Sequence, residues 1–213
     1  MIAGVVLAAG RSTRMGRFKP LLPWGRHTVI EQVATTMLAG PLDELLVVAG
    51  HEHEALAAVL RSYPARVIFN PDYATGEMIS SIQAGLRALG PDVEAALMAV
   101  GDQPRLQAAT VAAVTAAWRA SSPPRIIIPS YRMRRGHPIC LPRAVWPDVL
   151  ALNWQEGLRS LWSKLAGQIE HLTLDSPTIL SDMDTPDDYW REVNANTTDG
   201  HDLSPTERPV EPG

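Results

Sequence analysis

One cysteine, Cys140, occurs in 213 residues, which excludes an internal disulfide framework and a multi-thiolate zinc site and agrees with a reducing compartment such as the cytoplasm. No run of about eighteen consecutive apolar residues is present, the minimum for a membrane-spanning helix. There is no basic excess either. Lys and Arg number 19 against 23 Asp and Glu, a formal net charge of −4, so the chain offers no cationic footprint for a nucleic-acid backbone. The opening MIAGVVLAAGRSTR has no basic region ahead of its apolar stretch and reads as a buried strand rather than a signal peptide. What remains, 46% hydrophobic and 20% charged residues, is the balance of a soluble globular domain, expected in the cytoplasm.

Short branched-apolar runs recur at Val5 to Leu7, Leu45 to Val48, Val67 to Phe69, Ala95 to Val100 and Ile126 to Ile128. They are continuous rather than alternating, as expected of strands covered on both faces. Helical periods lie between them. Thr28 to Glu31 form a capping-box pattern ahead of Val29, Ile30, Val33, Ala34, Met37 and Leu38, and Gly40-Pro41 stops that helix. Leu56 to Leu60, a segment from about Met78 to Leu89, and Ala108 to Trp118 predict three more helices. The alternation predicts an α/β fold, a three-layer Rossmann-like domain with a mostly parallel sheet, whose chemistry sits at the C-terminal ends of the strands. Arg134 to Leu141 reads as one inserted strand, Val145 to Leu165 as mostly helical, and Ile169 to Leu174 as a late strand. Residues 1–194 are expected to form one domain, and the Pro-rich, apolar-poor residues 195–213 a disordered tail. No internal repeat is visible.

The segment Leu7 to Lys19, LAAGRSTRMGRFK, follows the first strand. Leu7, Ala8, Ala9 and Gly10 leave backbone accessible to a nucleotide, and Arg11, Arg14, Arg17 and Lys19 supply positive charge for phosphates. The loop lacks the Walker pattern, and Gly10 and Gly16 do not give a G-x-G-x-x-G fingerprint. A structural turn with solvated arginines is the plainer alternative. Asp102, in Gly101-Asp102-Gln103-Pro104 after the fourth strand, would face the same crevice, where a hard divalent cation needs oxygen ligands. Gly-Asp also serves turns and helix caps; the location opposite the cationic loop favours a metal ligand.

LAAGRSTRMGRFK, GDQP, RGHP at Arg135 to Pro138 and DMDTPDDY at Asp182 to Tyr189 together resemble the molybdenum cofactor cytidylyltransferases of the MobA-like nucleotidyltransferase superfamily, from Ile2 to about Tyr189. The resemblance implies an enzyme that transfers CMP from CTP to the terminal phosphate of a molybdopterin-type cofactor and releases pyrophosphate. It implies that Leu7 to Gly10 and Ser81 line the base and ribose, that Arg14 and Lys19 hold the triphosphate, and that Asp102 and Asp184 bind Mg²⁺, with Asp182 an alternative to Asp184. Gly136 and His137 would face the pterin; a loop histidine ordered by Pro138 is the other reading of His137. Ala9, where guanylyl-transferring relatives carry glycine, points to CTP. Glu77 and Met78 lengthen the stretch between Gly76 and the serine pair relative to the family.

Other residues invite plainer readings. His51 and His53 lack the i, i+4 spacing of a zinc-protease helix and are expected in a loop or helix start. Cys140, between Ile139 and Leu141, is expected as a buried thiol. Trp146, Trp154, Trp162 and Trp190 are expected at a core edge, with a surface for a recipient molybdoenzyme as the alternative. Two rival functions remain: a nucleotidyltransferase acting on a sugar or polyol phosphate, and a non-catalytic nucleotide-binding factor that delivers molybdenum cofactor.

Overall fold

The computed structural model describes the backbone of residues 1–153 and 157–198. In chain order the strands and helices are β1 (Ile2–Ala8), β2 (Pro23–Trp24), β3 (His27–Thr28), α1 (Val29–Leu38), β4 (Glu44–Ala49), α2 (His53–Val59), β5 (Arg66–Phe69), α3 (Glu77–Ala88), β6 (Ala95–Val100), α4 (Ala108–Ala120), β7 (Ile126–Tyr131), β8 (Arg134–Arg135), β9 (Ile139–Pro142), α5 (Trp146–Leu150), α6 (Gly157–Lys164), β10 (Ile169–Thr173) and α7 (Pro186–Thr198). The main sheet runs β10-β7-β9-β6-β1-β4-β5, with β8 beside β7. Its pairs are parallel except where β9 meets β6 and β7 and where β8 meets β7.

Alternation within each buried strand sorts side chains onto the two faces of this sheet. Ile2, Val6, Leu45, Val47 and Leu97 pack with α1, α2 and α4. Ala3, Val5, Leu46, Val48 and Met98 pack with α3, α5 and α6. Each fully buried Val or Leu stabilises the domain by about 1.5–3 kcal/mol, so two apolar layers on one sheet fix a three-layer α/β architecture. Gly85 permits the close approach of α3, since a Cβ there would stand 2.9 Å from Val5 Cγ1.

Local signals set the helix starts. Thr28 and Glu31 form the capping box of α1, the Glu31 carboxylate accepting the Thr28 N–H at 2.7 Å. Thr185 performs the same task for α7: its N–H and hydroxyl donate to Asp188, 2.9 and 2.7 Å away, and Pro186 opens the helix, as its fixed φ favours.

A third, smaller core ties the two ends of the chain together. Met15, Leu22 and Trp24, from the segment after β1, pack against Met183, Tyr189 and Val193. The Tyr189 hydroxyl donates to the Pro23 carbonyl at 2.7 Å.

The stretch Arg134 to Leu141 is not one strand. It divides into β8 and β9 because Gly136 is drawn against the segment after β10, where a Cβ would meet the Ile179 carbonyl oxygen at 2.4 Å, and because Pro138 has no N–H for the ladder. Helix α7 extends through residues 195–198, and residues 199–213 of the expected tail lie outside the described residues. Cys140 is fully buried. Trp146 is buried, its indole N–H donating to the Leu141 carbonyl at 3.1 Å. Trp162 and Trp190 flank the second and third cores; Trp154 lies outside the described residues. His53 opens α2, and its ring leans on Phe69 at 4.6 Å between centroids. Among the described residues no helix is long and apolar enough to cross a membrane.

Candidate active site

The C-terminal ends of β1 and β6 lie side by side, with Leu7 level with Val100 and the Gly101 N–H bonded to the Leu7 carbonyl at 2.9 Å. A Cβ at Gly101 would stand 2.9 Å from Ala8 Cβ. A glycine there lets the two strand ends approach this closely beside a shared cavity. That cavity, about 310 Å³, is bounded by Leu7 to Gly10, Lys19, Ser81 and Asp102. Those residues come from three separate segments of the sequence, and the fold brings them to one place.

The loop after β1 is stapled upon itself. Ser12 takes a left-handed conformation, φ 54°, and its hydroxyl accepts the Lys19 N–H at 3.1 Å. Lys19 begins a short turn that carries its side chain inward, 11% exposed. Its ammonium donates to Asp102 Oδ2 at 3.0 Å and to Asp184 Oδ1 at 2.7 Å. Arg14, on the rim and 71% exposed, pairs with the other Asp184 oxygen at 2.9 Å. Two cations from the first loop therefore meet carboxylates that follow β6 and β10.

Burial disfavours the Lys19 charge, but Asp102, first by its charge and then with Asp184 through hydrogen bonds, more than offsets this and holds the ammonium above its usual range. The hydrogen bond from Lys19, with the charges of Lys19 and Arg14, holds the Asp184 carboxyl below the usual carboxylate range against the smaller opposing effect of burial. Lys19 is a fixed positive charge at any physiological pH. The two carboxylates that bond to it bring hard oxygen donors to one point, the donor chemistry that a divalent cation such as Mg²⁺ or Mn²⁺ takes. Among the described residues no group of three or more His, Cys, Asp or Glu side chains is placed to hold a metal, so a cation here would complete its shell with phosphate oxygens and water.

Asp182 turns elsewhere. It accepts a hydrogen bond from Gln103 Nε2, and burial raises its carboxyl above the usual range. Gln103, 2% exposed, also donates to the Ile179 carbonyl at 3.3 Å. Gly136 and His137 do not line the cavity. Gly136 is jammed against Ile179, and the His137 N–H donates to the Ile179 carbonyl at 3.2 Å. Burial lowers the affinity of the His137 ring for a proton despite the nearby Asp182 and Asp102 charges. Ser81 is buried on the α3 side of the cavity, its hydroxyl accepting from Asn70 Nδ2 at 3.1 Å.

Several wall residues had no sequence signal of their own. Ser12 and Tyr73 are among them. Tyr73 leans over Gly50, where a Cβ would meet its Cβ at 2.4 Å, and Arg11 lies 5.7 Å from its ring centroid. Gly50 at the end of β4 was the only trace of this approach. Glu77 also lines the cavity, in a left-handed conformation with φ 49° at the first position of α3.

Comparison with known proteins places this geometry in context. The model of the MobA-like NTP transferase domain matches residues 4–169. The chain is 31% identical over 199 residues to nicotine blue oxidoreductase of Paenarthrobacter nicotinovorans, covering 89% of this chain and 95% of the relative. It is 29% identical over 191 residues to the molybdenum cofactor cytidylyltransferase of Escherichia coli K12, covering 87% and 92%. Among solved structures, the manganese complex of Rv0371c from Mycobacterium tuberculosis H37Rv superposes with a TM-score of 0.77 at 28% identity, covering 91% of this chain and 98% of that one.

Proposed function

Because this chain belongs to the MobA-like NTP transferase family, we propose that it transfers CMP from CTP to the terminal phosphate of a molybdopterin-type cofactor, releasing pyrophosphate. The observation that carries the reading is Lys19 Nζ held between Asp102 and Asp184, 3.0 and 2.7 Å away, at a cavity that Leu7 to Gly10 also line. Ala9 and the resemblance of the Escherichia coli cytidylyltransferase at 29% identity support CTP as the donor, and the same relative's name supports the molybdopterin acceptor.

In this reaction an oxygen of the acceptor's phosphate attacks the α-phosphorus of CTP. The bond from that phosphorus to the oxygen bridging the β-phosphate breaks, and pyrophosphate leaves with the electron pair. The attacking phosphate is already anionic, so no general base and no covalent enzyme intermediate are needed. The protein's task is to align two negatively charged groups and offset their repulsion. Lys19 is placed to do so because two carboxylates hold its charge at the cavity. Arg14 reaches the same phosphates from the rim. Asp102 and Asp184 would hold the divalent cation. When bound, that ion supplies positive charge to the phosphate oxygens and to the departing pyrophosphate. Backbone groups of Ala8 to Gly10, unobstructed by side chains, are left to contact the nucleoside.

Pyrophosphate release tests the proposal. The protein is incubated with each nucleoside triphosphate, Mg²⁺ or Mn²⁺, and either molybdopterin or a panel of sugar and polyol phosphates. Release with CTP and molybdopterin above all other pairs is expected. Preference for a sugar phosphate would move the reaction to that rival acceptor, and nucleotide binding without release would indicate the delivery factor. The readout also separates transfer from an oxidoreduction of the kind that the Paenarthrobacter relative's name describes, since oxidoreduction releases no pyrophosphate.

A further inference from the structure

Resting on the acceptor reading above, we propose that Arg135 and His171 form a clip that binds the pterin end of the acceptor, remote from its phosphate. The sheet register places them. One edge of β7 is taken by β10, Ser130 pairing with Thr173, so β8, pairing Arg135 with the same Ser130, occupies the edge shared with β9. Ile127 of β7 pairs with Cys140 of β9, and Cys140 with Leu97 of β6. Counting three residues along both parallel strands, Ser130 stands level with Val100, and Asp102 follows Val100 by two residues.

Paired residues share a face of a sheet. Ile128 belongs to the core on the α3 side; His171 pairs with Ile128, and Arg135 with Ser130 two residues further on. Both side chains therefore emerge on the face that carries α3 and Ser81, the face of the nucleotide cavity. The turn Pro177–Leu180 is wedged into the gap between this point and Asp102, where Gln103 Nε2 and the His137 N–H both donate to Ile179. Arg135, in the lane of β9, thus lies about one strand spacing to the side of β6 and about two residues short of Asp102, roughly 8 Å from its backbone.

Arg135 Nη2 and His171 Nε2 are 3.5 Å apart, and both side chains are exposed. Neither has a carboxylate partner among the described residues. A guanidinium only donates, so His171 Nε2 is the acceptor of the pair; together they suit a planar edge on which a carbonyl oxygen accepts from Arg135 beside a ring N–H that donates to the imidazole. A pterin presents that edge, at the opposite end of the molecule from the phosphate. The hairpin that delivers Arg135 is held in a demanding conformation: Arg132 and Met133 both have positive φ, 48° and 66°, a turn that Asn-Gly forms at lower cost. The tight turn keeps β8 on β7 and fixes where Arg135 leaves the sheet. Gly136 and His137, tied to Ile179, then serve as the backing of this arm.

The test titrates molybdopterin into the protein loaded with a non-hydrolysable α,β-methylene CTP analogue and Mg²⁺. Arg135→Gln and His171→Ala are each expected to raise the dissociation constant for molybdopterin at least tenfold. The double variant should do little worse than either, because the two act as a unit. Affinity for the CTP analogue stays within twofold. Arg134→Gln removes the same charge from the opposite face of the ribbon, where Arg134 pairs with Tyr131, and is expected to change nothing; Arg135→Lys should recover part of the affinity. Equal molybdopterin affinity in wild type, Arg135→Gln and His171→Ala, or an equal loss in Arg134→Gln, overturns the clip, as does a wild type that does not bind molybdopterin. Failure of the functional reading shows instead as tight molybdopterin binding without pyrophosphate release from CTP.

Discussion

Lys19 and Asp184 are 165 residues apart in sequence, and Lys19 Nζ donates to Asp184 Oδ1 at 2.7 Å. Nothing local brings them together. The small core of Met15, Leu22 and Trp24 on Met183, Tyr189 and Val193 closes the chain upon itself, and the ion pair forms at its margin. The late segment is thereby part of the same site as the first loop.

Replacing Asp102 with Asn removes one of the two carboxylates while leaving Lys19 its bond to Asp184. Turnover is expected to fall on the order of a hundredfold, the usual loss when one preorganised electrostatic group is removed, and Lys19→Ala should cost at least as much. Steady-state pyrophosphate release and a thermal melt on the same Asp102→Asn sample check this; a large rate loss with a near-native midpoint is the expected pair of results.

Gly101→Ala tests the close approach of β1 and β6. The new methyl would press on Ala8 Cβ, 2.9 Å away, with Ala8 in β1 and residue 101 directly after β6, so neither can easily give. A destabilisation of about 1–3 kcal/mol is expected, together with weaker CTP binding because Ala8 lines the cavity. Chemical denaturation and calorimetric titration of CTP measure the two effects.

The Lys19–Asp184 pair also sets a pH dependence. The hydrogen bond from Lys19 depresses the Asp184 carboxyl in the folded state. A depressed carboxyl adds stability above its unfolded value, about pH 4, and loses it as pH falls through the folded value. Asp184→Asn should therefore be less stable than wild type near neutrality, and the gap should close below about pH 4. Denaturation curves for both proteins across that range give the answer. A gap independent of pH would mean that the ionised carboxylate adds nothing.

Tyr189→Phe removes the hydroxyl that donates to Pro23 at 2.7 Å. A cost of about 1 kcal/mol is expected, with a fall in turnover larger than the fall in CTP affinity, since the latch aligns Asp184 rather than the nucleoside. Comparing kcat with the CTP dissociation constant separates these.

Much of the molecule could be read from the sequence because its signals are local. Ala95–Val100 is six consecutive buried residues, and the Thr28–Glu31 capping box needs only four positions. Lys19 and Asp102 were legible because each follows a strand end where an α/β sheet opens. What stayed hidden depends on distant segments. No local feature tells Arg134 to Leu141 that Ile179 will press on Gly136 and split the strand. In the same way, the D-x-D spacing would put Asp182 and Asp184 on one side of an extended chain, and nothing local says that the backbone departs from that and parts them. The fold turns Asp184 to Lys19 and Asp182 to Gln103. Ser12 and Tyr73 are ordinary residues whose places at the cavity follow from the path of a loop and from the space over Gly50.

A crystal structure of the protein with CTP and Mn²⁺ decides whether Lys19, Asp102 and Asp184 serve one nucleotide site. The expected result is an anomalous peak within coordination distance of both Asp102 and Asp184, with Lys19 Nζ on the triphosphate and the ribose against Ala8 to Gly10. Nucleotide bound away from this cavity, or a metal with neither carboxylate among its ligands, would contradict it.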